Sequence, residues 1–366
     1  MIHLEIRQSA FCLTFDLHNI FLNADTAQNF FILDQVVVLN DFISVFCQFL
    51  VRMNESIYLT KFPLIFLSAV TFVGSSPIAK LISTRCHNLH KRCVALGGAK
   101  NHLVALPDCD IEDTARDIVV SSAGCAGQRC MAASVLLLAG NPTEGSDSSG
   151  VSEVRERLMA KVLEKAKAIE KGVGPGQLGP VIDQASFDKI HRYIKEAEEN
   201  GADILLDGRT WSSDTEGGKW VGPTIIKHAS KDDAAIKEEI FGPVLSVYEV
   251  SSWKEAIEIE NSNPFGNAAC IYTSNGAYAE WYTQRFRASM LGVNVGIPVP
   301  REPFSFGGLY GTHSKFGDMD ITGDGAMEFF SNRIKVTTKW ILPKVNESTM
   351  NGVSGPVDQA NFAGNM

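Results

Sequence analysis

The sequence predicts an α/β fold with a largely parallel sheet, and three observations carry that expectation. From Ser68 onward, short β-branched or apolar runs alternate with helical patterns. Glycine, proline and capping residues punctuate the runs. The 366 residues, 45% apolar and 20% charged, suffice for two domains of ordinary size.

The elements follow in order. Ala69 to Val73 is an apolar strand, Gly74 to Pro77 a turn, and Ile78 to Arg85 a helix, making one βα unit. Arg92 to Leu96 is a second short strand that ends in Gly97-Gly98. Asp110 caps a helix to Val120, with Asp113 at its third position. Cys130 follows the loop Gly124 to Arg129 and precedes a strand from Ala133 to Ala139; Gly140 to Gly150 is a polar linker. Val154 to Lys171 and Phe187 to Asn200 are amphipathic helices, the second ended by Gly201. Ile204 to Leu206, Val244 to Val250 and Ala268 to Thr273 read as strands, and Ser252 to Glu260 and Ala277 to Arg287 as helices. Beyond Pro343 the polar composition predicts a flexible tail.

Residues 1–67 differ from the rest. All 31 glycines lie after Val73, although tight turns and helix ends need residues that tolerate positive φ. The expectation is an extraneous segment rather than an ordinary domain, joined to the rest by a wrongly predicted first exon. It does not read as a transit peptide, because Asp16, Asp25, Asp34 and Asp41 interrupt it. Its most apolar stretch, Phe62 to Val73, has 12 residues, against the roughly 20 of a spanning helix. A net charge of −9 argues against nucleic-acid binding. Eight cysteines without paired zinc-ligand spacing predict reduced thiols and no metal.

Three motifs occur in fixed order: Phe72-Val73-Gly74-Ser75, Gly127-Gln128-Arg129-Cys130-Met131 and Glu238-Glu239-Ile240-Phe241-Gly242-Pro243. The steps are 56 residues from Gly74 to Cys130 and 109 from Cys130 to Glu239. Taken alone, Cys130 is either an inert loop thiol or a nucleophile, and Arg129 either a surface charge or a ligand for a carboxylate. The ordered set resembles the aldehyde dehydrogenase superfamily from about Ser68 to Trp340. Ala99-Lys100-Asn101-His102, Gly292-Val293-Asn294 and Ile297-Pro298-Val299-Pro300 narrow the resemblance to its methylmalonate (malonate) semialdehyde dehydrogenase branch.

The resemblance implies roles and boundaries. Cys130 is the nucleophile whose thiohemiacetal gives hydride to NAD and becomes a thioester, with the Cys130 backbone N–H helping to hold the oxyanion. Arg129 binds the carboxylate of a small semialdehyde, and Phe306 stands at the mouth of the substrate tunnel. Glu239 and Phe241 take the nicotinamide ribose and ring, while Gly74, Ser75 and Gly97 belong to the cofactor site. Hydrolytic relatives carry a water-activating glutamate 34 residues before the cysteine, where this chain has Leu96. Coenzyme A is therefore implied as acyl acceptor, with acetyl-CoA or propionyl-CoA as product; a hydrolytic dehydrogenase is the alternative.

The implied divisions are a remnant of the NAD-binding domain at 68–96, a catalytic domain at 97–290 and a C-terminal return with an oligomerisation strand at 291–342. A homo-oligomer, dimer or tetramer, and a mitochondrial site are implied too, with the cytoplasm as alternative. Upstream of Ser68 the family carries an oxyanion asparagine, an adenine-ribose lysine and a second substrate arginine, which residues 1–67 do not match. The chain as given is thus expected to bind NAD poorly and turn over no substrate. The other reading is an inactive fragment that associates with full-length subunits through a strand at Ile334 to Thr338.

Overall fold

The structure, a computed structural model, describes residues 68–140, 149–213, 218–301 and 303–338. The expectations for residues 1–67, for most of the Gly140 to Gly150 linker and for the tail beyond Pro343 lie outside the described residues.

Two sheets organise residues 68–330. In the first, β1 (Ala69–Val73) leads through a turn into α1 (Ser76–Asn88), and β2 (Arg92–Leu96) returns parallel to β1 with Ala69 opposite Arg92. Pro77 suits the first turn of α1, where no intrahelical N–H is needed. The third strand comes from far along the chain: β10 (Lys315–Phe316) pairs antiparallel with β2, Lys315 opposite Leu96.

The second sheet has seven strands in the order β5-β6-β7-β4-β3-β8-β9. These are β3 (Asn101–Ala105), β4 (Ala133–Leu138), β5 (Asp203–Leu206), β6 (Thr224–Lys227), β7 (Val244–Glu249), β8 (Ala268–Tyr272) and β9 (Met290–Val293). All pairings are parallel except β5 with β6. The largely parallel sheet expected from the sequence is thus present, with one antiparallel edge strand in each of the two sheets.

Alternation along β3 and β4 divides the interior. Leu103, Leu136 and Leu138 pack with α2 (Ile111–Ala123) and α3 (Ser149–Lys167) through Ile118, Leu158 and Val162. Val104, Val135 and Leu137 face the other way, against Trp253 and Ala256 of α6 and Tyr282 of α7. The remaining helices are α4 (Gln184–Glu199), α5 (Ala234–Lys237), α6 (Trp253–Ser262), α7 (Gly276–Thr283) and α8 (Gly323–Phe329). Central strands buried on both faces need continuous apolar runs, and Ala133–Leu138 supplies one.

Capping follows the sequence closely. The Asp110 carboxylate accepts from the Asp113 N–H at 2.8 Å, and Gly201 ends α4 with φ +85°. The helix expected from Val154 to Lys171 runs instead Ser149–Lys167, and α7 stops at Thr283 rather than Arg287. Residues 331–338, a unit apart, contain no helix or strand, and Ile334 and Val336 are exposed. Among the described residues, no helix is long and apolar enough to cross a membrane.

Glu260, at the end of α6, is 4% exposed and accepts the Arg287 N–H at 2.8 Å. Burial pushes its carboxyl up to about 7, against 4.5 ordinarily. Between those values the folded state holds a proton that the unfolded chain has lost. This group's contribution is therefore full below pH 4.5 and disappears as pH rises through about 7. Urea unfolding of the wild type and Glu260→Gln from pH 5 to 8 is expected to show a stability difference that grows in the variant's favour up to about pH 7 and then levels off. A constant difference across that range would refute the assignment.

Candidate active site

The segment that carries Cys130 is shaped by its backbone. α2 ends at Ala123, and Cys125, Ala126 and Gly127 then take left-handed φ of 54°, 54° and 65°. Two consecutive non-glycine residues in that region are costly, and the surrounding structure must hold them there. Gly127 is sterically required: a Cβ there would lie 2.0 Å from the carbonyl oxygen of Gly242. The cysteine loop and the loop after Glu239 are therefore pressed together, backbone against backbone.

Two buried carboxamides fix the nucleophile's own peptide. Asn101 Nδ2 donates to the Cys130 carbonyl at 2.8 Å and to that of Ala132 at 2.9 Å, and Asn101 Oδ1 accepts the Ala268 N–H at 3.1 Å. Asn267 Nδ2 donates to the same Cys130 carbonyl at 3.0 Å. The side chain at the head of β3 thus ties the cysteine loop to β8. The sequence reading takes in Asn101 only as part of the Ala99 to His102 motif, without this role, and does not single out Asn267, although a polar residue opening a strand buried on both faces is a usable signal.

Cys130, Arg129, Glu239 and Phe241 come together around one narrow cleft, which Ala99 and Lys100 also line. Glu239 Oε1 accepts the Ala99 N–H at 2.9 Å, and a Cβ at Gly98 would come within 2.3 Å of Oε2, so the carboxylate rests on bare backbone. Phe241 has φ 58° and is 39% exposed, an aromatic ring held out of the core by a strained residue. Phe306 packs with Cys130 against Met131, Ala268 and Met290.

The other singled-out residues stand apart from this cleft. Gly74 donates to the Leu96 carbonyl at 3.0 Å, and Ser75 is the N-cap residue of α1 without a side-chain cap bond. Gly97 donates to the Ser314 carbonyl at 3.0 Å, and no side chain fits there because the His313 carbonyl oxygen would lie 2.1 Å from a Cβ. Ser76 Oγ joins the two regions by accepting the Gly98 N–H at 2.9 Å and donating to the His313 carbonyl at 2.7 Å. Leu96 is buried and pairs with Lys315.

The electrostatics are uneven. Burial pushes the Cys130 thiol up and Glu239 adds to this, while the backbone N–H groups of Cys130 and Met131 and the charge of Arg129 oppose it. Burial likewise raises Glu239. Arg129 Nη2 is occupied by the C-terminal carbonyls of α2, Val120 at 3.0 Å and Ser121 at 3.4 Å, whereas its buried Nε has no hydrogen-bond partner among the described residues. It therefore caps the C-terminus of α2 while its Nε donor stays unpaired among the described residues.

A thiol on a strained loop thus stands beside a carboxylate and a projecting aromatic ring on a largely parallel α/β sheet. The sequence model described as "Aldehyde dehydrogenase family" matches residues 66–336, and the chain belongs to that family. It is 36% identical over 277 residues to malonate-semialdehyde dehydrogenase 1 of Oceanobacillus iheyensis, covering 75% of this chain and 54% of the relative. To the malonate-semialdehyde dehydrogenase of Bacillus velezensis it is 38% identical over 283 residues, covering 76% and 55%.

Among solved structures, methylmalonate-semialdehyde dehydrogenase from Oceanimonas doudoroffii superposes with TM-score 0.69 at 34% identity, covering 76% of this chain and 55% of that one. A Sinorhizobium meliloti protein described as a methylmalonate-semialdehyde dehydrogenase, complexed with NAD, gives TM-score 0.69 at 32% identity and the same coverage. The chain spans about half the length of these relatives.

Replacing Asn101 tests the grip on the nucleophile's peptide. Asn101→Ala leaves the Ala132 carbonyl and the Ala268 N–H without that partner in a buried place, so a loss of about 2–4 kcal/mol in unfolding free energy is expected. Urea denaturation measures it, and a loss under about 0.5 kcal/mol would show that these bonds do not hold the loop.

Proposed function

We propose that this chain carries the catalytic part of an NAD-dependent, CoA-acylating dehydrogenase that oxidises and decarboxylates malonate or methylmalonate semialdehyde. The observation that carries the reading is the cleft shared by Cys130, Glu239 and Phe241, in a chain with leucine at position 96. The names of the relatives supply the substrate class, and the NAD complex of one structural neighbour supplies the cofactor.

The residues present fit a nicotinamide ribose. Phe241 offers an exposed ring at the cleft, and Glu239 offers a carboxylate held by only one backbone N–H. When bound, NAD would supply the hydride acceptor.

The chain's own residues do the remaining work. The Cys130 thiolate attacks the aldehyde carbon, and its backbone N–H holds the oxygen that becomes negative. Arg129, through the donors not engaged by α2, takes the substrate carboxylate. Loss of hydride leaves a thioester on Cys130 that still carries the substrate carboxylate, and the carboxylate then leaves as CO2 to give the acetyl or propionyl group. Leu96 cannot activate water, so the acyl group goes to the thiol of CoA.

The protein is further proposed to form a homo-oligomer. The exposure of Ile334 and Val336, 85% and 80%, supports that reading, in which this segment joins a neighbouring subunit's sheet. Those same exposed residues favour a second reading, a fragment that associates with longer family members.

The test is turnover by residues 68–366 joined to the N-terminal half of a longer relative, because the chain as given is expected to bind NAD poorly and turn over no substrate. Malonate semialdehyde, NAD and CoA are expected to yield NADH and acetyl-CoA, with both products lost in Cys130→Ala. Arg129→Leu is expected to lose about 2–5 kcal/mol in kcat/KM, the range for breaking a buried charge pair, and much less on a neutral aldehyde of similar size. NADH formation independent of CoA would replace this reading with the hydrolytic one. Absence of NAD binding by calorimetry, together with co-elution with a longer homologue, would replace it with the associating fragment.

A further inference from the structure

Burial and Glu239 both keep the Cys130 thiol protonated, and the position of the hydrolytic relatives' carboxylate is leucine. Something else must receive the thiol's proton before sulfur can act as a nucleophile.

One buried base lines the cleft. Lys100, immediately before β3, is 4% exposed, and its Nζ is enclosed with no hydrogen-bond partner among the described residues. It shares the cleft wall with Cys130 and Glu239. A buried ammonium without a bonded partner is costly, and the usual resolution is that the lysine holds a neutral amine. Its neighbourhood agrees. Burial brings the amine down to about 7, opposed by Glu239 and Glu238, by Asp233 at the N-cap of α5, and aided by Lys189 of α4. Two residues further on, His102 is 1% exposed, its Nε2 is also without a partner among the described residues, and it lines a second cleft beside Lys237 and Asn263. His228 is the other buried histidine that feels the Lys100 charge.

We propose that Lys100 is the general base that deprotonates Cys130. The S–H bond breaks and an N–H bond forms at Nζ, directly or through one water, so that a neutral thiol and amine become a thiolate and an ammonium. The carboxylates of Glu239, Glu238 and Asp233 stabilise the ammonium that results. This assignment rests on Cys130 being the nucleophile, but it does not require substrate, NAD or CoA. A buried lysine amine brought near neutrality is a usable base at physiological pH, whereas an arginine in the same place is not.

The experiment follows alkylation of Cys130 by iodoacetamide, quantified by peptide mass spectrometry from pH 5.5 to 9.5, on the whole chain. The exposed Cys125 serves as internal reference. In the wild type, the Cys130 rate, taken relative to that of Cys125, is expected to rise through an inflection near pH 7. Lys100→Met is expected to lose the inflection and to slow Cys130 alkylation at pH 7.5 by about tenfold or more. Lys100→Arg keeps the charge without the base, and is expected to lose the inflection too. A wild-type profile without an inflection near neutrality overturns the proposal, and that measurement needs no variant to fold. A Lys100→Met profile superimposable on the wild type also overturns it. Restoration of the wild-type profile by arginine would make Lys100 a counter-ion and not a base. Because no turnover is read, failure of the dehydrogenase reading leaves these outcomes intact.

Discussion

The carbonyl of Cys130, held by Asn101 and Asn267, is the constraint on which the rest of the site depends. A cysteine at the end of a left-handed turn has no regular ladder to fix it, so its position must come from side chains. Both donors belong to the central sheet, one at the head of β3 and the other next to β8. The sheet thus positions the sulfur through the peptide behind it, leaving the thiol itself free of that scaffold. The close approach of Gly127 to Gly242 completes the arrangement by bringing the Glu239 segment to the same place.

This economy of backbone contact has an electrostatic cost. A site closed enough to exclude water also keeps the thiol protonated, and the nearby carboxylate works in the same direction. Catalytic sites commonly pair titratable groups whose environments push their proton affinities apart. Here burial raises the thiol and lowers the lysine amine, reversing their ordinary order within one cleft, so that the resting pair is a neutral thiol beside a neutral amine.

Much of the fold was legible in the sequence, and the exceptions share a physical origin. Ala69–Val73, Arg92–Leu96 and Ala133–Leu138 were recognisable as continuous apolar or β-branched runs, and Asp110 and Gly201 as helix ends. β3 was not, because it opens with Asn101 and His102, whose polarity conceals a fully buried central strand. β6, β9 and β10 were missed as well; they are two to four residues long and carry too little periodicity to register. At the site, Cys130, Arg129, Glu239 and Phe241 were legible through motif order, and they do meet at one cleft. The roles of Asn101, Asn267 and Lys100 depend on contacts between distant segments, which spacing along one chain does not encode. Gly74, Ser75 and Gly97 lie at the small sheet, outside that cleft.

The pairing of β10 with β2 bears on how the protein is made. The first strands of the described chain meet their antiparallel partner only after more than two hundred further residues, with Ser76 and Gly97 bonded to the carbonyls of His313 and Ser314. At a ribosomal rate of roughly 5–20 residues per second, the β1-α1-β2 unit waits on the order of ten to forty seconds for that strand. Throughout that interval one edge of β2 stays open, and the apolar side chains that later meet Phe329 remain uncovered. Translation speed and chaperone occupancy thereby become determinants of yield for this fold, set by the distance along the chain between two short strands.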